Sequence, residues 1–383
     1  MLSGVVYATG LEGGYVYALG PQSLALKNQG TALQAAASKQ PDMLVIYGSS
    51  ELNIADPYNA GTLFASRPTG FTICLVGKAG TTSLVILQDL AAVGGDLRGK
   101  KVVVSLSAPW FFGAMQAADS YAGNYSRLHG GELVWNSRIS WVVKRGAAIR
   151  MLDYPATLQK DPVLRFAVTK LAQDTLLSRF LYCLTVPIGW ARDAVLRIQD
   201  HWEVVAYIWK QRKLNPMVPT ESAAIDWAAL LTKAEKEQAQ RADNNPFGFE
   251  NQIWLQKLRS EVARQANSRT DAAFLSSLAK SKEWTDFELL IRGVKDMGGD
   301  VLVLSMPIQG TYYSYTGVSY QARQAYYDRL EAICKKYDVP ALDFRDHDMD
   351  KYFLIDSGAH LSRKGWIFYD RALDSFYHGT LGE

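Results

Sequence analysis

The chain has 383 residues, of which 48% are hydrophobic and 21% charged, with a formal net charge of +3. This composition is that of an ordinary globular protein with enough apolar material for a large core. The nearly balanced charge and the lack of a long Lys/Arg block argue against nucleic acid as the main partner.

Cysteines and the N-terminus give little functional signal. Cys74, Cys183 and Cys334 are widely spaced in apolar surroundings, which predicts three buried thiols, and no Cys/His spacing suggests a metal site. No stretch reaches about 18 consecutive apolar residues, so no membrane span is predicted. Residues 1–19 are apolar and glycine-rich but lack the basic start of a signal peptide.

Strand and helix patterns alternate along most of the chain. In chain order the sequence predicts a helix at 22–39, strands at 43–47 and 71–76, a helix at 81–93, a strand at 101–106, a helix at 284–297, a strand at 300–305, a helix at 320–336, a strand at 339–344 and a helix at 362–377. This alternation predicts an α/β fold, a three-layer, doubly wound parallel sheet with helices on both faces.

The alternation stops between residues 113 and 283. That segment is rich in Ala, Trp, Arg, Gln and Leu, and its pattern is helical. We therefore expect a single domain over residues 1–383 with a large helical insertion at 113–283 that covers one edge or the mouth of the sheet.

Candidate catalytic residues follow the strands, since ligands of open parallel sheets bind beyond the carboxyl ends. The first strand ends in Gly48-Ser49-Ser50-Glu51, and His360 lies in a loop before the last helix, at the same edge. A hydroxyl nucleophile needs a base that titrates near neutral pH, and Asp356 lies four residues before His360. The sequence thus predicts Ser49 as nucleophile, His360 as base and Asp356 as its orienting group.

Acyl transfer also requires hydrogen-bond donors for the oxyanion. The candidates are the backbone N–H of Ser49, the backbone N–H of Gly80 in a glycine-containing loop before a helix, and the side-chain amide of Gln309 after the fourth strand.

Each of these signals also has a purely structural interpretation. Gly-Ser-Ser after a strand commonly forms a turn, and a histidine or aspartate before a helix commonly caps it. The loop at 77–81 fits a tight turn or a phosphate cradle, although it lacks the Lys-Ser/Thr ending of a Walker loop. Their joint placement at one sheet edge keeps hydrolase or acyltransferase chemistry open beside these interpretations.

Several stretches resemble known families. "YGSSEL" (47–52) and "GKAGTTSL" (77–84) resemble the first two blocks of SGNH-type serine hydrolases. "VVVSLSAPWFF" (102–112), "MPIQGTYYSYTGVS" (306–319) and "DFRDHDMDKYFLIDSGAHLSRKGWIFYDRALDSF" (343–376) are similar to blocks of the DltD family of teichoic acid D-alanylation proteins. The last two are long and specific.

The resemblance implies an SGNH-like fold in which Ser49, His360 and Asp356 are catalytic, with no metal or organic cofactor. It further implies transfer of D-alanine from an activated, carrier-linked donor to a cell-envelope polymer such as teichoic acid through a seryl ester. The implied location is the extracytoplasmic face of the cytoplasmic membrane, with an N-terminal anchoring helix absent from this sequence and a membrane-bound O-acyltransferase as partner.

The sequence departs from the family at two of these positions. The family commonly places the aspartate three residues before the histidine, whereas Asp356 is four residues before His360, and Gln309 replaces an asparagine. Two alternatives follow: a carbohydrate O-acetyl esterase that uses water as acceptor, and a non-catalytic subunit that presents substrate to the membrane acyltransferase. The aspartate spacing favours the second alternative, whereas the coexistence of Ser49, Gly80 and His360 opposes it.

Overall fold

Five strands form one parallel sheet in the computed structural model, which describes residues 2–24, 26, 30–113, 118–211 and 224–382. The strands are β1 (Met43–Gly48), β2 (Thr72–Gly77), β3 (Lys101–Ser107), β4 (Asp300–Met306) and β5 (Ala341–Leu342). Their order is β2-β1-β3-β4-β5, and every neighbouring pair is parallel. The predicted α/β fold is confirmed.

Both faces of the sheet are buried, which explains why its strands are continuous apolar runs. Because successive strand residues point to opposite faces, Val45 and Tyr47 enter one core cluster while Leu44 and Ile46 enter another. Helices cover each cluster and make the outer layers.

Among the described residues, seven α-helices lie outside the segment between β3 and β4. They are α1 (Leu2–Leu19), α2 (Thr31–Lys39), α3 (Ala60–Ser66), α4 (Ser83–Val93), α16 (Gly310–Thr316), α17 (Tyr320–Lys336) and α18 (Arg363–His378). Residues of α2, α4 and α17 belong to the first cluster, and residues of α3 and α18 belong to the second.

The described chain between β3 and β4 is helical. It contains α5 (Ala118–Asn124), α6 (Arg127–Trp135), α7 (Trp141–Met151), α8 (Pro155–Leu158), α9 (Pro162–Gln173), α10 (Leu176–Lys210), α11 (Trp227–Arg241), α12 (Asn251–Ile253), α13 (Arg259–Ala263), α14 (Asp271–Lys280) and α15 (Glu283–Asp296). Leu133 and Leu164 of this segment share a buried cluster with Val45 and Val102 of the sheet. The segment therefore packs into the core of the sheet domain.

Two predicted elements are shorter than expected. The helix predicted at 22–39 begins at Thr31, after Gly30 at a φ of 79°, and residues 25 and 27–29 lie outside the described residues. The strand predicted at 339–344 is reduced to Ala341–Leu342, because Pro340 has no N–H and Phe344 adopts a φ of 49°.

The N-terminal stretch forms α1, which docks on the long helix α10. The carboxylate of Glu12 accepts a hydrogen bond at 2.7 Å from Nδ1 of His201, and Glu12 is buried. Among the residues that the structure describes, no helix is both long enough and apolar enough to cross a membrane. One thiol differs from the prediction: Cys183 of α10 is exposed, while Cys74 and Cys334 are buried.

Candidate active site

A buried carboxylate shapes the chain where β1 ends. The backbone N–H of Ser49 donates to Oε1 of Glu51 at 2.7 Å, and the hydroxyl of Ser107, at the end of β3, donates to the other oxygen at 3.3 Å. Gly48 makes room for this contact, because a Cβ there would lie 2.4 Å from Oε1 of Glu51. Glu51 thus ties together the ends of the two strands at which the strand order reverses, where such sheets bind ligands.

A hydroxyl, an imidazole and a carboxylate lie in line next to this turn. Oγ of Ser50 is 3.0 Å from Nε2 of His360, and Nδ1 of His360 is 2.5 Å from Oδ2 of Asp356. The backbone N–H of Gly358 donates to Oδ1 of Asp356 at 2.9 Å and fixes the carboxylate. The four-residue spacing therefore lets Asp356 reach the ring.

The serine in this line is Ser50, whereas the sequence predicted Ser49. Ser49 is 1% exposed, and its hydroxyl donates to the carbonyl oxygen of Lys78 at 3.1 Å. Ser49 keeps an extended φ of −128°, and Ser50 begins a 3₁₀ turn, Ser50–Asn53. The backbone changes from extended to helical between the two serines, and the hydroxyl of Ser50 is the one that contacts His360, whereas the hydroxyl of Ser49 contacts Lys78.

The hydroxyl of Ser49 instead holds the loop after β2. Nδ2 of Asn53 donates to the carbonyl oxygen of Gly77 at 3.1 Å, and the N–H of Thr81 closes a turn on the carbonyl oxygen of Lys78 at 3.0 Å. Gly80 has a φ of 80° within this turn, whose closing bond does not use the Gly80 N–H.

Two of the three predicted oxyanion donors are engaged elsewhere. The N–H of Ser49 bonds to Glu51, as described above. Gln309 is 2% exposed; its amide nitrogen donates to the carbonyl oxygen of Phe247 at 2.8 Å, and its amide oxygen accepts from the N–H of Tyr312 at 2.7 Å. Gln309 thus caps α16 and anchors a loop of the helical segment, and Gly80 is the predicted donor whose N–H this turn leaves unused.

Charge near the ring favours a protonated imidazole. Burial lowers the pKa of His360, but the hydrogen bond and charge of Asp356, together with the charge of Glu51, outweigh burial and raise this pKa above 6.5. Burial raises the pKa of Glu51, against the opposing hydrogen bonds and the charge of His360. An imidazole placed in this way can accept the proton of a hydroxyl and hold it as an imidazolium.

Backbone bonds fix the loop that carries Asp356 and His360. The N–H of Ile355 donates to the carbonyl oxygen of His360 at 2.9 Å, and the N–H of Glu250, from the helical segment, donates to the carbonyl oxygen of Ile355 at 3.0 Å. Gly248 lies so close that a Cβ there would be 1.7 Å from the carbonyl oxygen of Lys351. The segment between β3 and β4 therefore supports the histidine loop.

The residues predicted from the sequence include neither Ser50 nor the buried Glu51, which the structure places beside His360 and Ser49. Both residues stand in the quoted "YGSSEL" block, but two adjacent hydroxyls are chemically identical, and only the backbone angles at the strand end distinguish them. The sequence feature that could have identified Glu51 is its position as a carboxyl just after a buried strand. In the described part of the chain, no group of three His, Cys, Asp or Glu side chains is arranged to hold a metal ion.

Fold and site together define an α/β protein with a serine–histidine–aspartate line at the carboxyl edge of a parallel sheet. The family model described as DltD protein matches residues 22–378. The chain is 29% identical to Protein DltD of Bacillus subtilis (strain 168) over 350 residues, which cover 91% of this chain and 86% of the relative.

Two further relatives carry the same name. Identity to Protein DltD of Staphylococcus aureus (strain NCTC 8325 / PS 47) is 26% over 92% of this chain and 85% of the relative. Identity to Protein DltD of Lacticaseibacillus rhamnosus is 23% over 94% of this chain and 87% of the relative. The chain belongs to the DltD family, which supports a general role in D-alanyl-lipoteichoic acid biosynthesis.

Proposed function

We propose that the chain is a serine acyltransferase in which Ser50 is the nucleophile, His360 the general base and Asp356 the group that orients the imidazole. The observation that carries this proposal is the 3.0 Å contact between Oγ of Ser50 and Nε2 of His360, continued by the 2.5 Å contact from Nδ1 to Asp356. Ser49 takes a different role, because its hydroxyl positions the Gly80 loop.

In the first half-reaction, His360 takes the proton of Ser50 as Oγ attacks the carbonyl carbon of a carrier-linked acyl thioester or ester. The N–H groups of Ser50 and Gly80 stabilise the oxyanion, a contribution that is typically worth about 3 to 4 kcal/mol per donor. The bond to the carrier breaks, the leaving group takes the proton from His360, and the acyl group remains as an ester on Ser50.

The second half-reaction reverses these roles. An acceptor hydroxyl gives its proton to His360 and attacks the seryl ester, and Ser50 recovers its proton as the acyl group leaves. We propose D-alanyl as the acyl group and a teichoic-acid-type polymer as the acceptor, on the strength of family membership. A location at the extracytoplasmic face of the membrane and work beside a membrane-bound O-acyltransferase belong to the same proposal.

Labelling with a fluorophosphonate, followed by intact-mass and peptide mapping, tests the nucleophile. We expect a single adduct on Ser50, its loss in Ser50→Ala, and at least a hundred-fold slower labelling in His360→Ala. The matched control Ser49→Ala removes a neighbouring hydroxyl of the same kind and is expected to keep the adduct.

The outcomes separate the candidates. An adduct that disappears in Ser49→Ala and persists in Ser50→Ala would return the nucleophile to Ser49. A folded wild-type protein that forms no adduct would contradict the catalytic proposal and favour a substrate-presenting subunit. The four-residue spacing does not favour that alternative, because Oδ2 of Asp356 lies 2.5 Å from Nδ1 of His360. If the protein is instead a carbohydrate O-acetyl esterase, the wild type should release acetate from acetylated sugars, and Ser50→Ala should not.

A further inference from the structure

Helix α10 presents an apolar surface to its surroundings along its whole length. We define the α10 stripe as eight exposed side chains: Leu176, Leu177, Phe180, Leu184, Ile188, Val195, Trp202 and Trp209. Leu176 is 88% exposed and Phe180 is 60% exposed. At 3.6 residues per turn, all eight fall within an arc of about 120°, and no charged residue of α10 falls in that arc.

In the first half of α10, the side that faces the protein is more polar than the stripe, whereas Val204, Val205 and Ile208 are buried in the second half. The buried residues of the first half include Ser178, Tyr182, Thr185 and Asp193. The hydroxyl of Tyr182 donates to the carbonyl oxygen of Val134 at 2.7 Å, and Nε1 of Trp135 donates to the hydroxyl oxygen of Thr185 at 3.1 Å. A helix at a water-exposed surface shows the opposite arrangement, with its apolar side inward. The first part of α10 is therefore suited to an apolar medium on its outer side.

The apolar surface continues onto the N-terminal helix. A Cβ at Gly4 would lie 3.6 Å from the ring of Trp202, so the first turns of α1 adjoin the far end of the stripe. Two exposed apolar side chains of α1, Val6 at 69% and Tyr7, belong to these turns. Exposed apolar side chains on two adjoining helices are typical of an interaction surface.

The charges around the stripe indicate the kind of partner. Residues 141–211, from α7 through α10, contain ten Lys/Arg and six Asp/Glu, a net charge of +4, compared with +3 for the whole chain. Two of these cations, Lys144 and Arg150, are buried. The exposed ones in the region that carries the stripe are Arg145, Lys160, Arg165, Arg179 and Lys210. Leu, Phe and Trp on one side with Lys and Arg beside them is the pattern of helices that lie in a lipid interface rich in anionic headgroups.

We propose that the α10 stripe lies in the surface of a lipid bilayer with anionic headgroups, with its leucines and phenylalanine among the acyl chains and its tryptophans at headgroup level. The helix lies parallel to the surface and does not cross it. This contact is independent of the acyl-transfer proposal, because it uses no residue of the Ser50 site.

Flotation of the full chain with vesicles of equimolar phosphatidylglycerol and phosphatidylcholine tests the proposal. We expect the wild-type protein to float with the vesicles, and the variant Leu177→Gln/Phe180→Gln/Leu184→Gln to bind at least ten-fold more weakly. The matched control Leu255→Gln/Leu275→Gln/Met349→Gln removes three exposed apolar side chains elsewhere and is expected to bind as the wild type does. Ser50→Ala is expected to bind normally, which separates this test from that of the enzymatic proposal.

A second readout reports depth. Lipids brominated near the headgroup should quench the tryptophan fluorescence of the wild-type protein, and should quench that of Trp202→Phe less.

Equal vesicle binding by the stripe variant and the wild type would overturn the proposal, even if binding required phosphatidylglycerol, because adsorption would then be purely electrostatic. Absence of vesicle binding by the wild type would also overturn it. If, in addition, the stripe variant abolished self-association, a second copy of the chain would be the occupant.

Discussion

At the scale of single residues, Asp356 sets the proton affinity of the candidate base. Its hydrogen bond and charge raise the pKa of His360 above 6.5, so the neutral imidazole that accepts a proton from Ser50 becomes dominant only at higher pH. We expect the rate of fluorophosphonate labelling to rise with pH through this raised pKa. Asp356→Asn should move the midpoint to lower pH and reduce the plateau rate by about a hundred-fold or more.

Labelling rates measured across the pH range, with His360→Ala as the baseline, check this prediction. An unchanged midpoint in Asp356→Asn would show that the carboxylate does not act on the base. Asp328→Asn, a change at an exposed carboxylate, serves as the control for nonspecific effects.

Another carboxyl, Asp370 of α18, is a source of instability. It is fully buried, and among the described residues neither of its oxygens has a hydrogen-bond partner. Burial, with the charges of Asp56 and Asp374, raises its pKa well above 3.8. The folded protein therefore holds this proton to higher pH than the unfolded chain does, and stability falls as pH rises above the ordinary aspartate range.

Replacement of Asp370 by asparagine should therefore stabilise the protein at neutral pH. We expect Asp370→Asn to raise the free energy of unfolding by roughly 1 to 3 kcal/mol at pH 7, with a smaller gain as pH falls towards 4. Urea unfolding at both pH values measures the difference. A loss of stability at pH 7 would contradict the picture of an unpaired carboxyl.

At the scale of elements, the turn after β2 depends on a left-handed residue. Gly80 has a φ of 80°, and a Cβ there would also lie 3.3 Å from Nδ2 of Asn124. Gly99 has a φ of 66° with no atom near the corresponding Cβ, and it precedes β3 at the opposite edge of the sheet. Both glycines have a positive φ that disfavours other residues, but only Gly80 lies at the edge of the sheet that carries Ser50 and His360.

This pair gives a controlled test of the Gly80 loop. Each substitution by alanine should lower the free energy of unfolding by about 1 to 2 kcal/mol through backbone strain. Only Gly80→Ala should also slow labelling of Ser50, by at least ten-fold, because it displaces a proposed oxyanion donor. Equal labelling rates in the two variants would remove Gly80 from the proposed mechanism.

The sequence pattern was sufficient to locate four of the five strands. Strands β1 to β4 are apolar runs long enough to be buried on both faces, and their positions follow from that pattern alone. The shortening of β5 depends on Phe344 adopting a left-handed conformation, which no local pattern indicated. The choice between Ser49 and Ser50 likewise depends on backbone angles at one strand end, whereas the placement of Asp356 near His360 was accessible from their position in one loop.

At the scale of the whole molecule, the sheet and the helical segment meet at the histidine loop. Gly248 has a φ of 74°, and a Cβ there would collide with the backbone of Lys351. Alanine at this position requires both a strained backbone and a displacement of the loop. We expect Gly248→Ala to lower the free energy of unfolding by more than about 2 kcal/mol, and to speed hydrogen exchange of residues 351–360.

Gly379→Ala is the matched control, since Gly379 has a φ of 75° and a Cβ there would meet no atom within 4 Å. Gly379→Ala should lower the free energy of unfolding through backbone strain, but it should leave hydrogen exchange of residues 351–360 unchanged. Hydrogen exchange followed by mass spectrometry measures both variants. Unchanged exchange at 351–360 in Gly248→Ala would mean that the two parts of the molecule are energetically separate.

The bond from the Glu250 N–H to the carbonyl oxygen of Ile355 has a consequence for protein engineering. A chimaera that exchanges residues 113–283 between two relatives would join the loop of one parent to the histidine loop of the other. The backbones of the loop around Gly248 and of the histidine loop pack so closely that a methyl group at Gly248 has no space. The exchangeable unit is therefore discontinuous in sequence: it comprises the helical segment together with residues 351–360, and crossover points within either part would misplace His360.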